Sequence, residues 1–356
     1  MKRIILLVLL GLLCGGFLVA GDKIGEISYM VSDATITRAG KTFKADFGTA
    51  VENYDSITTA GKGLVEVTLL PESGINGTIK VQPNSTLYIE MSSLQSGKKG
   101  SVELLSGSVS TAVKKLSPQS KFEVRSQGSV MGVRGTEFDV IASVTGDILV
   151  TCSEGRVSCE DEGGNSLFAE PGVAVERTAE GIFHDIPVRI SDLETFRNTW
   201  GTEKIEAFRG NANRAIAYFA QRYLDQKTQF DRAYMALLSQ KTILDKWFRE
   251  DARNQIGSSI EVMREKSTIV RYLVDVRRVT RLFEPVYYRL LQLEDLHKQG
   301  YGRGPVGNNM TSAQFFTRLS NESAELKERM ANIRYILKLY GQRNEGGSFL
   351  TDDFMN

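Results

Sequence analysis

The hydrophobic pattern of the chain changes its period once, near Pro187. Before this point, short runs of alternating apolar and polar residues are separated by Gly, Asn, Asp and Ser, which is typical of strands joined by tight turns. After it, helix-forming residues dominate to about Tyr340, and apolar residues recur at steps of three and four. The sequence therefore predicts an α+β fold with segregated parts, an all-β unit followed by a helical unit.

The first unit contains several runs that read as strands. They cover residues 27–31, 34–37, 64–69, 78–81, 102–105, 121–124 and 148–152. Many short strands with turn residues between them are typical of a β-sandwich or a β-solenoid-like fold, and the pattern alone leaves both open.

The second unit has marked helix starts. Ser191 with Glu194, Ser258 with Glu261, and Thr311 with Gln314 each have the spacing of a capping box. We expect helix breaks near Gly201, near Gly210, at Gly257 and over residues 300–309. The whole predicts an antiparallel bundle of three or four helices, with the aromatic residues between 218 and 248 in its core.

One of these helices carries a heptad seam. Alternating steps of four and three connect Ile269, Leu273, Val276, Thr280, Phe283, Tyr287 and Leu290. Pro285 lies inside this pattern, and its ring removes a backbone hydrogen bond, so we expect a kink or a split near Glu284.

The N-terminus reads as an export signal. Lys2 and Arg3 precede an apolar run over residues 4–13, and small residues follow at Ala20 and Gly21. We expect residues 1–21 to be removed, which predicts a periplasmic protein without a stable membrane span in the mature chain. A lipoprotein anchored through Cys14 is the less favoured alternative, because Leu13 occupies a position where lipidation motifs have a small residue.

A short run near the middle of the β unit has an unusual composition. Gly132 and Gly135 bracket Arg134, and Thr136, Glu137 and Phe138 lead into an alternating strand. Together with the upstream segments 54–59, 63–70 and 81–89, this run resembles the closing motif of FecR-type periplasmic domains, over roughly residues 45 to 145.

The resemblance implies a β-rich envelope domain that binds or presents another component, and it brings no catalytic residues. In that family the Arg corresponding to Arg134 belongs to the fold signature. We expect it to pair with Glu137, Asp139 or a carbonyl group, with ligand contact as the alternative. Signalling members carry a cytoplasmic anti-sigma segment and a transmembrane helix before the periplasmic part, whereas this chain opens with an export signal.

These observations divide the chain into four parts: a signal peptide (1–21), a FecR-like β domain (22–186), a helical bundle domain (187–343) and a mobile tail (344–356). The two large parts carry opposite charge. Residues 22–185 contain 15 basic and 22 acidic residues, a net of −7, and residues 186–356 contain 27 and 21, a net of +6. Such asymmetry either holds the two parts together or reflects two independently solvated domains.

The sequence contains no recognisable catalytic or metal-binding motif. The two histidines, His184 and His297, lie in different predicted domains. Cys152 and Cys159 do not have the spacing of a zinc or redox pair. We expect no cofactor, no metal and no enzymatic activity. If the cysteines lie on the two arms of one hairpin turning at Glu154 and Gly155, they are close enough for a disulfide; otherwise they are buried small residues.

A basic stripe on the helical side is the candidate binding surface. Arg264, Arg271 and Arg278 recur every seven residues, and Arg281 lies beside them. The stripe is either a solvated face or a docking face for an acidic partner or for the acidic β domain. We expect protein partners in the envelope, such as a filament, a receptor or a cell-wall component, and no nucleic acid.

Two functional hypotheses follow. In the first, the chain is an exported, non-enzymatic structural or scaffold protein that binds other envelope components. In the second, it is a sensor component of a cell-surface signalling relay that lacks its own anti-sigma segment.

Overall fold

The computed structural model describes residues 23–343 apart from residues 94–96, 134 and 162. The predicted signal peptide with Cys14, the predicted mobile tail and Arg134 lie outside the described residues. The β unit contains seventeen described strands, and their bounds are β1 Lys23–Val31, β2 Ala34–Arg38, β3 Lys41–Lys44, β4 Ala50–Glu52, β5 Ser56–Thr59, β6 Leu64–Leu69, β7 Gly77–Val81, β8 Thr86–Ser93, β9 Lys98–Val113, β10 Lys121–Ser126, β11 Ser129–Val133, β12 Thr136–Ala142, β13 Ile148–Glu154, β14 Val157–Glu160, β15 Ser166–Ala169, β16 Val173–Arg177 and β17 Phe183–Pro187.

The long strand β9 joins two sheets. Its first half pairs with β8, where Leu104 lies opposite Leu87, and in parallel with β10. Its second half pairs with β7 and β12, where Val109 lies opposite Val140. The change of partners occurs at Gly107, whose φ of +80° suits glycine.

The two sheets face each other across one apolar core. The sheet containing β6 and β12 contributes Val67 and Phe138, and the sheet containing β5, β8 and β10 contributes Leu87 and Phe122 to the same cluster. Alternation along each strand places every second side chain in this core, as the 0% exposure of Val65 and Val67 illustrates. The segregated α+β fold is confirmed, and within the β unit the sheets stack as in a sandwich.

The helical unit contains α1 Leu193–Leu238, α2 Lys241–Asp251, α3 Ser259–Lys298 and α4 Ser312–Gln342, with a small hairpin of β18 Pro305–Gly307 and β19 Met310–Thr311 before α4. The helices α1 and α3 are antiparallel. Phe219 of α1 contacts Arg289 of α3, and Phe230, further along α1, contacts the earlier residue Phe283 of α3. Tyr223, Phe230 and Trp247 are fully buried, but Tyr218 is 54% exposed, so the predicted aromatic core is correct for most of its members only.

Some of the predicted helix breaks are present in the structure and others are not. Gly201 does not break α1, whereas Gly210 is followed by a non-helical residue, Asn211, with φ −129° and ψ 20°. Gly257 separates α2 from α3 as expected. The helix α3 continues through Pro285 without a split, so of the two expected outcomes the split is wrong and the kink stays a prediction.

The predicted capping boxes also differ. Thr311 caps α4 with both reciprocal bonds of a capping box to Gln314. Ser258 is the N-cap of α3, and its hydroxyl bonds the Glu261 side chain and not the backbone. At α1 the N-cap is Asp192 and no side-chain cap bond forms, since the Ser191 hydroxyl bonds the Asp192 side chain instead.

The helices pack directly onto the β unit. Tyr88 of β8 and Leu105 of β9 belong to the same buried cluster as the helical core residues. The helix α3 lies along β9 in this contact. The two units therefore share an extensive interface, and this interface contains ion pairs between them.

Candidate functional site

Four basic side chains from the helices pair with acidic side chains of the β unit. Arg277 of α3 bonds both oxygens of Glu90 at 2.8 Å, and Lys338 of α4 lies 2.7 Å from Glu52. At the start of α1, Arg197 pairs with Asp139, and Lys204 bonds Glu176 at 2.6 Å. The opposite charges of the two parts therefore meet across their interface, which favours the first of the two interpretations of the charge asymmetry.

The pair of Glu90 and Arg277 is the most enclosed of these. The two side chains are only 12% and 11% exposed, and the Tyr54 hydroxyl also donates to Glu90. Burial alone raises the pKa of Glu90, but the Arg277 guanidinium outweighs this and holds the pKa below its usual range. The carboxylate is therefore charged in the folded protein, and its charge depends on its partner.

A second buried ion pair connects two of the helices. Arg334 of α4 pairs with Glu284 of α3, and its guanidinium lies 5.2 Å from the ring centre of Tyr88 in β8. The cation is thus held by a carboxylate from one element and an aromatic face from another, which favours a single arrangement of α3, α4 and β8.

Beside these pairs, a cleft of about 500 Å³ separates the β10–β11 hairpin from α3. Glu103 and Arg281 both line it, and Glu103 Oε1, Arg281 Nε and Arg281 Nη2 are buried without a hydrogen-bond partner among the described residues. Burial raises the pKa of Glu103 and lowers that of Arg281. Unpaired polar atoms in a cleft are typical of a binding site, and we take this cleft as the candidate functional site.

The predicted arginine stripe divides into two groups. Arg264, Arg271 and Arg278 are exposed, and Arg278 pairs with Asp275 of its own helix at 2.8 Å. Arg281 points instead into the cleft between α3 and the sheet. Arg278 borders the same cleft at its exposed rim, and binding by the three exposed arginines remains a prediction.

Arg277, which pairs with Glu90, and Glu284, which pairs with Arg334, were not among the predicted site residues. Each follows a seam residue by one position, Val276 and Phe283, and the two are seven residues apart. Charged residues that flank a heptad seam at this spacing lie close to whatever packs on the seam, so this signal could have identified them.

The motif that resembles FecR domains forms the passage from one sheet to the other. Gly132 lies in β11, Gly135 has a φ of +112°, and Thr136 begins β12. Thr136 and Phe138 are buried, Phe138 in the sandwich core, while Glu137 is exposed. These residues therefore act in the fold, and the predicted pairing of Arg134 falls outside the described residues.

Cys152 and Cys159 are both buried free thiols. The predicted hairpin between them is wrong, because β13 pairs with β12 and β16 whereas β14 pairs with β11 and β15 in the other sheet. Burial raises the pKa of Cys152 to about 11 and that of Cys159 to about 12. Neither thiol has the thiolate character of a reactive cysteine at neutral pH.

The histidines are far apart in the fold as well. His184 lies beside Glu176 in the first sheet, and His297 bonds Ser312 at the end of α3. Over residues 23–343 without the gaps, no group of three His, Cys, Asp or Glu side chains is placed to hold a metal ion. In the same part of the chain, no helix is long and apolar enough to cross a bilayer.

Comparison with known proteins identifies the β unit. Residues 55–158 match the model of the family described as "FecR protein". Two solved structures of a "putative anti-sigma factor" from Parabacteroides distasonis align with a TM-score of 0.33 and 16% identity, over 39% and 40% of this chain and 62% and 63% of theirs. The chain thus spans less than two thirds of those structures, and no curated protein matches it.

The family match begins just before β5 and ends inside β14, so it covers the crossing strand β9, the β10–β11 hairpin of the cleft and the two-glycine motif. The predicted resemblance over roughly residues 45 to 145 is confirmed. Residues 55–158 are a FecR domain, within a chain that joins it to a bundle of helices.

Proposed function

We propose that the chain is a non-enzymatic binding component of a cell-surface signalling relay, in which the helices connect the FecR domain to a protein partner. The match of residues 55–158 to the FecR family supports this proposal over a purely structural role. The proposal places the protein in the periplasm after removal of residues 1–21, so N-terminal sequencing of the native protein should find a first residue near Gly21 or Asp22.

The observation that carries the proposal is that α3 contacts the FecR domain with one face and exposes another face to solvent. One face is bonded to the FecR domain through Arg277 and Glu90. A neighbouring face of the same helix is exposed and combines Arg264, Arg271 and Arg278 with apolar side chains, since Ile260 is 71%, Met263 56% and Val274 38% exposed. A helix that is fixed to the FecR domain through this ion pair can also bind a partner protein through its exposed face.

The chemistry of the exposed face defines the partner. Alternating arginine and apolar side chains match a protein surface that is acidic and has apolar residues between its carboxylates. Exposed apolar side chains gathered on one helix face are typical of an interaction site, because water contact with them is unfavourable.

A charge reversal tests this docking face. We expect the change of Arg264, Arg271 and Arg278 to Glu to abolish capture of the partner, most clearly at low salt, because like charges then meet across the contact. Stability should change by no more than about 1 kcal/mol, because exposed charges contribute little to their own helix. Crosslinking in native envelopes followed by mass spectrometry measures capture, and urea unfolding measures stability.

A matched control reverses three other exposed arginines, Arg214, Arg232 and Arg253. This control should capture the same proteins as the unchanged chain. Equal capture by the α3 variant and the control at low ionic strength would exclude the α3 face. Measuring transcription in cells that carry the α3 variant distinguishes a scaffold from a relay component. Only the loss of a relay contact changes the expression of target genes.

A further inference from the structure

The cleft between the FecR domain and α3 continues into a second, smaller cavity. The larger has a volume of about 500 Å³ and the smaller about 150 Å³. Gln127, Gly128, Arg281, Leu282 and Pro285 line both, so the two form one continuous space between the tip of the β10–β11 hairpin and α3. Its combined size is in the range of small-molecule sites.

The smaller cavity contains an arginine that forms no ion pair with any described residue. Arg289 of α3 is 6% exposed, its Nε has no hydrogen-bond partner among the described residues, and its guanidinium lies 4.9 Å from the ring centre of Phe219. The nearby carboxylate of Asp147 is already occupied, because it accepts from Ser143, Thr145 and the Ala179 backbone and pairs with Lys204. Burial lowers the pKa of Arg289 to about 10, and the residue still carries its charge at neutral pH.

Arg281 adds a second free cation where the two cavities meet. Its Nε and Nη2 are buried and without a partner in the described part of the chain. Arg177 and Arg222 also line the smaller cavity, where Arg222 donates to the Tyr218 hydroxyl at 3.0 Å. The only acid along the cleft without an ion pair among the described residues is Glu103, in the larger cavity, so positive charge is in excess.

Such an excess of buried positive charge is unfavourable unless an anion balances it. A buried charge is stable when it is paired, and an unpaired one costs folding free energy. The planar guanidinium group is suited to an oxyanion, which it can bind through two parallel hydrogen bonds. The smaller cavity therefore has the chemistry of an oxyanion site.

The larger cavity has a different character. Leu105 and Val130 of the FecR domain and Val274 and Leu282 of α3 contribute apolar walls, and Tyr88 adds an aromatic ring. Leu282 is 46% exposed and lies at the edge of both cavities. An apolar chamber joined to an oxyanion site fits a molecule with an apolar body and one anionic end.

We propose that this cleft binds a small amphipathic acid, with its carboxylate or phosphate group bonded by Arg281 and Arg289 and its apolar portion in the larger cavity. The site lies between the FecR domain and α3 and touches both. Its anion-binding residues, Arg281 and Arg289, do not belong to the proposed partner face of α3, although Val274 and Arg278 border both surfaces.

Titration calorimetry on the full chain tests the site with three probes that share one apolar body: octanoate, octyl phosphate and octanol. We expect at least one of the two acids to bind and to raise the melting temperature, because a ligand that binds the folded state stabilises it. Octanol should bind at least about tenfold more weakly, since it cannot accept charge-assisted bonds. A preference for octanoate or for octyl phosphate identifies the anionic group of the natural ligand.

Two substitutions locate the anion. Arg281→Met and Arg289→Met should each weaken binding of the preferred acid by about tenfold or more, with octanol unaffected. Both variants should fold, because replacing an unpaired buried charge by an apolar side chain of similar length is not destabilising. Arg232→Met, on the exposed surface of α1, is the matched control and should bind as the unchanged chain does.

Leu282→Glu provides a test that leaves the buried arginines in place. It adds a carboxylate at the partly exposed edge of the cleft and should also weaken binding of the acid. The proposal is overturned if neither acid binds, if octanol binds as tightly as the acids, or if Arg289→Met and Leu282→Glu bind the acid with unchanged affinity.

Discussion

Gly135 and Gly132 lie three residues apart in the two-glycine motif, but their backbones meet different demands. Gly135 has a φ of +112°, and a Cβ there would lie 2.9 Å from Cα of Lys115. Gly132 lies in the regular strand β11, with open space where a Cβ would be. Of the two positions, only position 135 requires glycine.

We therefore expect Gly135→Ala to destabilise the protein by about 1–3 kcal/mol, through backbone strain and the close approach to Lys115. Gly132→Ala is the matched control, and its effect should lie within about 0.5 kcal/mol. Urea unfolding of both variants measures the difference. Equal losses in the two variants would show that the motif does not depend on the bend at Gly135.

Two buried glutamates at the interface respond to pH in opposite directions. Glu90 has a lowered pKa because Arg277 outweighs its burial, and Glu103 has a raised pKa because its burial dominates. A lowered folded-state pKa gives stability that is present above the unfolded pKa of about 4.3 and is lost as pH falls through the folded value. A raised folded-state pKa gives stability that is fully present below the unfolded-state pKa and is lost as the pH rises through the folded-state pKa.

Glu90→Gln should therefore reduce the free energy of unfolding by about 3 kcal/mol at pH 7, with a smaller loss at pH 4. Glu103→Gln should increase the free energy of unfolding at pH 7 and have little effect at pH 4. Urea unfolding at the two pH values measures both. A gain from Glu103→Gln that is larger at pH 4 than at pH 7 contradicts the assignment.

At the scale of single elements, the same sequence pattern has different outcomes at different helix ends. The spacing of Ser191 and Glu194 matches that of Thr311 and Gln314, but only the second pair forms a capping box. At α1, the 3₁₀ turn over Ile190–Asp192 precedes the helix and moves the cap position to Asp192. The chain path before a helix, and not the spacing alone, decides whether a capping side chain is used.

We expect Thr311→Ala to destabilise the protein by about 1 kcal/mol, because the backbone N–H of Gln314 loses its acceptor. Ser191→Ala is the control at the unused position and should have almost no effect. Thermal unfolding of the two variants gives the comparison. A larger loss from Ser191→Ala would mean that the Ser191 hydroxyl has a role beyond its bond to Asp192.

The helix α3 shows how far a local pattern predicts an element. Its seam residues Ile269, Leu273, Val276, Phe283, Tyr287 and Leu290 are all buried as the heptad indicates. Arg264, Arg271 and Arg278 share one exposed face because they are seven residues apart. Arg281 is three residues beyond Arg278 and turns toward the sheet, which periodicity could not reveal without knowing where the sheet lies.

At the scale of the whole molecule, the interface couples two units that have separate cores. The sandwich core contains residues of the β unit alone. The helical core includes Tyr88 and Leu105, which become exposed if the helices are removed. Among the described residues, five ion pairs connect the two units, each with its basic side chain on a helix and its acidic side chain in the β unit.

We expect a fragment of residues 22–186 to unfold cooperatively on its own, since its core is self-contained. Mixed with a fragment of residues 187–343, it should associate, and the affinity should fall by about tenfold when salt rises from 50 to 500 mM, because screening weakens the less buried pairs. Circular dichroism and calorimetry measure the two effects. A β fragment without cooperative unfolding would contradict the division into two domains.

Several features follow from the sequence by itself. The change of period at Pro187, the segregation of strands and helices, the FecR-type motif and the seam of α3 depend on residues close together along the chain, whose alternation or heptad spacing is readable without a structure. The opposite charges of the two halves also come from counting alone.

The tertiary structure decided which of these residues meet. Arg277 and Glu90 are 187 positions apart, and the two free cysteines lie in strands of different sheets although they are only seven positions apart. Such contacts depend on how sheets stack and where a helix docks, and these are set by the packing of many side chains together. The cleft with Arg281 and Arg289 exists only because α3 lies against the β10–β11 hairpin, so the proposed site could not be located before the fold was known.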